Sequence, residues 1–262
     1  MKFLERVSYN CWYGVSFLIV LSCGLTTVAI ADTETEIKTE TTILFRPPRE
    51  ESKPEKTEGA ASRNNRVCSQ DIAARNLELQ SQRRSNLTAV VPDGDYGLTV
   101  AERPTFWVSL PTTSAKKVIL TLKENGHNPH WQQSANLKEK AGIIGIKLAN
   151  EAPALEIGKE YQWTIILVCG NQPHPNDPVV TAKIKRVNKL QIVRDSSFDD
   201  YTALERATVY AREGIWYDSL DILIAEKSSL TDWNNLWFNY LQSAGLAELG
   251  DEPIIDRLAE EQ

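Results

Sequence analysis

The sequence predicts an α+β chain: an antiparallel β-sandwich of immunoglobulin-like type, followed by a small C-terminal helical hairpin region of tetratricopeptide-like type. Two observations carry this prediction. From about Val67 to Leu190, short apolar runs alternate with polar residues and close on Pro and Gly turns, the period expected of strands. After Leu190 the apolar spacing changes to that of one face of a helix. The layout read from these shifts is a signal segment at 1–31, a disordered linker at 32–66, a β-sandwich domain at 67–190 and a helical domain at 195–262.

The amino terminus has the form of an export address. Lys2 and Arg6 precede an apolar run from Val15 to Leu25, and Ala29-Ile30-Ala31 places small residues where a signal peptidase reads. The run is shorter than the roughly 20 residues that span a bilayer, so a retained anchor is the weaker reading, and no stable membrane insertion is expected after cleavage. The expected location is periplasmic or secreted. The formal net charge is −6, and loss of residues 1–31 makes it one unit more acidic. That balance argues against nucleic acid as a partner.

Cys11 and Cys23 fall within the signal, which leaves Cys68 and Cys169. Two thiols in an exported chain are expected to form one disulfide. Closing a loop of about 100 residues stabilises by about 4 to 5 kcal/mol in the chain-entropy treatment. Two buried free thiols are the alternative.

From Asp32 to Arg66, Glu, Lys, Thr and Pro dominate. Such a stretch buries too little apolar surface to offset its ordering entropy, and it reads as a tether. Strands are then expected at Leu87–Val91, Phe106–Leu110, Val118–Leu122, Gly142–Leu148, Tyr161–Cys169 and Val179–Val187. In the fifth, Tyr161, Trp163, Ile165, Leu167 and Cys169 share one face. The full immunoglobulin pattern is not met: Trp107 lies too far after Cys68, and Leu167 stands where a corner tyrosine belongs.

Ser197 or Asp199 is expected to cap a helix that ends at Gly214, and a second helix is expected from Trp216 to Lys227. The third has the clearest period, with Trp233, Leu236, Trp237, Tyr240, Leu241 and Ala244 on one face and Gly245 as the stop. A short helix at Pro253–Leu258 would close the chain. Ala207, Tyr210, Ala211, Gly214, Trp216 and Leu220 look like one tetratricopeptide hairpin. The chain holds only about one and a half such units where about three stand alone.

Several blocks carry a resemblance: Phe45-Arg46-Pro47-Pro48, Ala101-Glu102-Arg103-Pro104-Thr105-Phe106-Trp107, Leu155 to Trp163, Gly214-Ile215-Trp216-Tyr217-Asp218 and Leu241 to Leu246. With these blocks the chain resembles the cyanobacterial family catalogued as domain of unknown function 928. The resemblance implies an exported protein and brings neither an assigned activity nor a catalytic residue.

The chemistry on offer is sparse. His127 and His130 share one loop, and His174 lies near Asp177 in another. If the loops met they would suit zinc or copper, whereas solvated loop histidines are the plainer reading, so no metal or other cofactor is expected. Glu102 and Arg103 read as an ion pair that locks a turn. No Gly-x-Ser-x-Gly elbow is present, so an enzyme is the less favoured class. Trp216, Tyr217, Trp233 and Trp237 are large anchors that belong either to the core or to a partner surface. The expected function is a non-enzymatic protein-binding or adaptor module with a protein partner in the cell envelope. The alternative is a carbohydrate-binding protein or an envelope hydrolase.

Overall fold

A computed structural model describes residues 42–48, 67–71, 86–137, 141–193 and 197–258. The expected signal segment at 1–31 and most of the expected linker at 32–66 lie outside these residues. The strands among them are β1 (Thr88–Ala89), β2 (Tyr96–Thr99), β3 (Thr105–Leu110), β4 (Lys117–Glu124), β5 (Asn128–Asn136), β6 (Gly142–Lys147), β7 (Glu160–Val168), β8 (Val179–Arg186) and β9 (Ile254–Leu258). The longer helices are α1 (Ala203–Arg212), α2 (Trp216–Ala225) and α3 (Trp233–Ser243). The α+β class is observed, with two sheets in which antiparallel pairing predominates.

One sheet runs β1-β3-β6-β9 and the other β2-β8-β7-β4-β5. Two pairs, β2 with β8 and β6 with β9, are parallel. In β7 the apolar side is buried at Tyr161, Trp163, Ile165 and Leu167, while the intervening residues are half-buried. The strand lies between β8 and β4, in the middle of its sheet. Every residue of β3 is buried, so that strand is covered on both faces.

Four expectations are corrected. Pro253–Leu258 holds a strand rather than a helix, because Ile254 to Leu258 finds an open edge on β6. Strands β2 and β5, which showed no apolar alternation, complete the second sheet. The cap of α1 is Thr202: its hydroxyl accepts from the Glu205 amide and the Glu205 carboxylate accepts from the Thr202 amide, a reciprocal capping box. Ser197 instead precedes a 3-10 turn at Phe198–Asp200, which contains Asp199. Finally, Thr42–Pro48, assigned to the linker, is packed, with Ile43 and Phe45 buried.

On either side of the boundary expected between 190 and 195, strands and helices contribute to a shared buried core. The described residues fall within one compact unit. Phe106 of β3, Leu120 of β4, Trp163 of β7, Trp216 and Tyr217 of α2 and Tyr240 of α3 belong to a single buried cluster. The physical reason is that α2 is too apolar to face solvent. Its Trp216 and Tyr217 meet β2 at Gly97, where even a Cβ would lie 2.9 Å from the Tyr217 ring and 3.1 Å from Trp216 Cβ. A buried tryptophan removes roughly 200 Å² from water, on the order of 5 kcal/mol before entropic costs.

Cys68 and Cys169 are joined by a disulfide across a sequence separation of 101, with their Cα atoms 5.5 Å apart. Cys68 is buried beside the end of β7, and the Cys169 carbonyl accepts from Gln70 Nε2 at 2.7 Å. The bond therefore fastens the segment around Cys68 to the end of β7. Replacing both cysteines by serine is expected to lower the unfolding free energy by about 2 to 5 kcal/mol, measured by urea denaturation. An unchanged midpoint would show that the bond adds nothing.

Candidate functional site

The four aromatic residues put forward for a partner surface divide. Trp216, Tyr217 and Trp237 are buried, and Trp233 is partly exposed. Trp216 stacks on Tyr240 with ring centroids 5.0 Å apart, and its Nε1 donates to the Val90 carbonyl at 2.9 Å. The Tyr217 hydroxyl accepts from Trp163 Nε1 at 2.7 Å and donates to the Lys183 carbonyl at 3.1 Å. Both side chains are therefore engaged inside the molecule. Desolvation raises the Tyr217 and Tyr240 hydroxyls far above the ordinary phenol range, so they act as neutral hydrogen-bonding groups.

The last residue of the Gly214-to-Asp218 block is also committed inward. Asp218 Oδ2 accepts from Thr99 Oγ1 at 2.7 Å and from the Val100 amide at 3.0 Å. The residue keeps some exposure, yet burial of its carboxyl dominates and pushes the pKa up to about 6. The hydrogen bonds from Thr99 and Val100 pull in the opposite direction, and Asp221 adds a smaller upward effect.

The remaining candidates are local. The His127 Nδ1 donates to the Asn125 carbonyl at 2.7 Å. His130 donates from Nε2 to the Pro153 carbonyl at 3.1 Å and lies edge-on to Tyr161. His174 Nδ1 accepts from the Asn176 amide at 3.2 Å, and its own amide donates to Asp177 at 2.8 Å. Among the described residues no three His, Cys, Asp or Glu side chains gather where one ion could sit. Glu102 pairs with Arg186 at 3.1 Å and with Arg103 at 3.9 Å, and Arg103 also donates to the Ala152 carbonyl at 2.9 Å. These contacts hold together the turns at either end of the sheet strands.

A cleft of about 470 Å³ opens between the first turns of α3 and the segment leading into β9. Trp233, Asn234, Phe238, Lys227, Asp251 and Glu252 line it. Trp233 lies against Trp237 with ring centroids 5.1 Å apart, and Phe238 is 41% exposed. The Glu252 carboxylate accepts from the buried Ser109 hydroxyl of β3, which ties the cleft floor to the sheet. Asp218 and the buried Tyr217 and Tyr240 do not line this cleft. The arrangement offers aromatic faces, side-chain amides and both signs of charge, a lining suited to holding a ligand. Reasoning from sequence missed Phe238, Asn234 and the Asp251–Pro253 wall, because the helical period assigns α3 one apolar face and leaves Phe238 off it.

A profile of the family described as Domain of Unknown Function (DUF928) matches residues 58–254. The chain belongs to this family. The family match takes in both sheets up to the first residue of β9, all three helices and both disulfide cysteines, whereas Thr42–Pro48 precedes it. Searches of curated proteins and of solved structures found no match. Among the described residues, no helix is long and apolar enough to cross a membrane.

The Asp218 environment has a measurable consequence. Its folded pKa, about 6, lies above the ordinary carboxylate value of 3.8, so the folded state holds the proton more tightly. The associated stability is fully present below about pH 4 and is lost as pH rises toward and through 6. Asp218→Asn keeps an oxygen acceptor for Thr99 and Val100 without the charge. The melting temperature of the variant relative to the parent is expected to rise between pH 4 and pH 7. Parallel melting curves across that range would refute the assignment.

Proposed function

We propose that the chain is an exported, non-enzymatic binding module of the cell envelope that acts as an adaptor for a protein partner. In this reading the two sheets form a sandwich of immunoglobulin-like type, and α1 to α3 form a tetratricopeptide-like hairpin region that presents the partner surface. The observation that carries it is the cleft beside α3, where Phe238 and Trp233 offer aromatic surface next to polar groups. Large aromatic side chains at the centre of a contact supply most of its binding energy. Support for export comes from the disulfide, which persists in oxidising compartments, and from the form of residues 1–31.

Carbohydrate binding is the second reading, and one feature favours it. Trp233 stands beside Asn234 and Asn235 on the same cleft, pairing an apolar ring face with amides that match sugar hydroxyls.

Removing the helices would expose the shared core, so the test needs point variants. The mature chain and a Trp233→Ala, Phe238→Ser variant, matched in circular dichroism and melting temperature to within a few degrees, are used as baits on envelope extract. The adaptor reading expects a protein retained by the parent and reduced at least tenfold on the variant. Equal retention would move the surface elsewhere. Binding to a glycan array that is lost in the variant would establish the carbohydrate reading instead.

A further inference from the structure

The seven residues Thr42–Pro48 form an extended strap on the helical layer, at a place separate from the cleft. Ile43, Phe45 and Pro48 are buried, while Leu44, Arg46 and Pro47 face outward. The Phe45 amide donates to Ser243 Oγ at 2.8 Å, and the Arg46 amide donates to the Ala211 carbonyl at 2.9 Å. The Phe45 ring meets Trp216 edge-on at 4.9 Å. Pro48 lies over Gly214, which has φ +77° and where a Cβ would come within 2.8 Å of the Pro48 backbone. Main-chain hydrogen bonds combined with pockets for particular side chains are the means by which domains recognise extended peptides.

We infer that this groove, formed by Ala211, Gly214, Trp216 and Ser243, is an interchain docking site that accepts the strap of a second copy of this chain. The contacts that seat the strap depend on its sequence and not on its covalent connection. Residues 49–66 separate it from Val67, and a segment of that length spans at most about 60 Å. A compact unit of this size has a radius of gyration of about 17 Å. A strap is therefore long enough in its connection to reach a neighbouring molecule. The family match begins at residue 58, so the groove lies within the matched region and its occupant outside it. Exchange of identical elements is a low-cost route to association. A tethered strap competes at an effective concentration on the order of millimolar, so in dilute solution the groove is filled from its own chain. Weakening that strap opens it.

The probe is a fluorescein-labelled peptide of residues 41–50, followed by fluorescence anisotropy against the full chain and against its Phe45→Ala variant. The peptide is expected to bind the variant at least tenfold more tightly than the parent, and a peptide carrying Phe45→Ala is expected not to bind. Equal binding to both chains, or binding indifferent to the peptide's phenylalanine, would overturn the inference. Because Phe45→Ala removes core packing, a second experiment uses the parent sequence with a protease site inserted between residues 52 and 57. After cutting, labelled peptide is expected to exchange with the retained fragment. A cut chain that unfolds, or that takes up no peptide, would overturn the inference as well.

Discussion

The contact on which the rest of the structure depends is the seating of α2 against the sheets through Trp216 and Tyr217. One tyrosine hydroxyl joins Trp163 on β7 to the Lys183 carbonyl on β8, and one indole reaches the Val90 carbonyl after β1. On its other side Trp216 stacks on Tyr240 of α3. Ser219 continues the chain of contacts, donating to the Ala207 carbonyl of α1 and accepting from the Tyr240 hydroxyl. Unpaired, these buried polar groups would each cost about 1 to 3 kcal/mol, so the helices and sheets are committed to one arrangement. The sequence block Gly214 to Asp218 is thus a connector. Gly214 admits the strap, Ile215 fills a second small core with Tyr96 and Phe198, and Asp218 holds the end of β2.

Elements stabilised by their own pattern were legible in the sequence. β7 alternates because one face lies on the core, and α3 shows a helical period because one stripe does. The cysteine pair was legible because only Cys68 and Cys169 lie outside the segment expected to be a signal. The elements that were not legible owe their form to distant partners. β5 is a polar edge strand with Pro129 in it, and its place is set by pairing with β4. β2 contains a glycine because α2 presses on it. Ile254 to Leu258 has an apolar start that suits a helix or a strand equally, and an open edge on β6 decides between them. Thr42–Pro48 has the composition of a linker, yet three of its residues fill pockets that only the folded helices create.

The candidate site was least legible for the same reason. The tryptophans that stand out in the sequence, Trp216 and Trp237, serve the core. The groups around the cleft, Phe238, Asn234 and Glu252, are unremarkable in the linear chain and are gathered only when β9 closes against β6. The family is described only as a domain of unknown function, so the role proposed above rests on the chemistry of this surface. Asp218 and the buried Tyr217 and Tyr240, all with raised pKa, lie away from this surface and join elements together.

The central claim is that helices and sheets form one cooperative unit through α2. Native-state hydrogen exchange of the full chain, followed by mass spectrometry at increasing urea, tests this most directly. Peptides covering β7 and peptides covering α2 and α3 are predicted to lose protection together, with the same dependence on urea. Loss of protection in the helices at lower urea, while β7 stays protected, would contradict the account and restore a two-domain description.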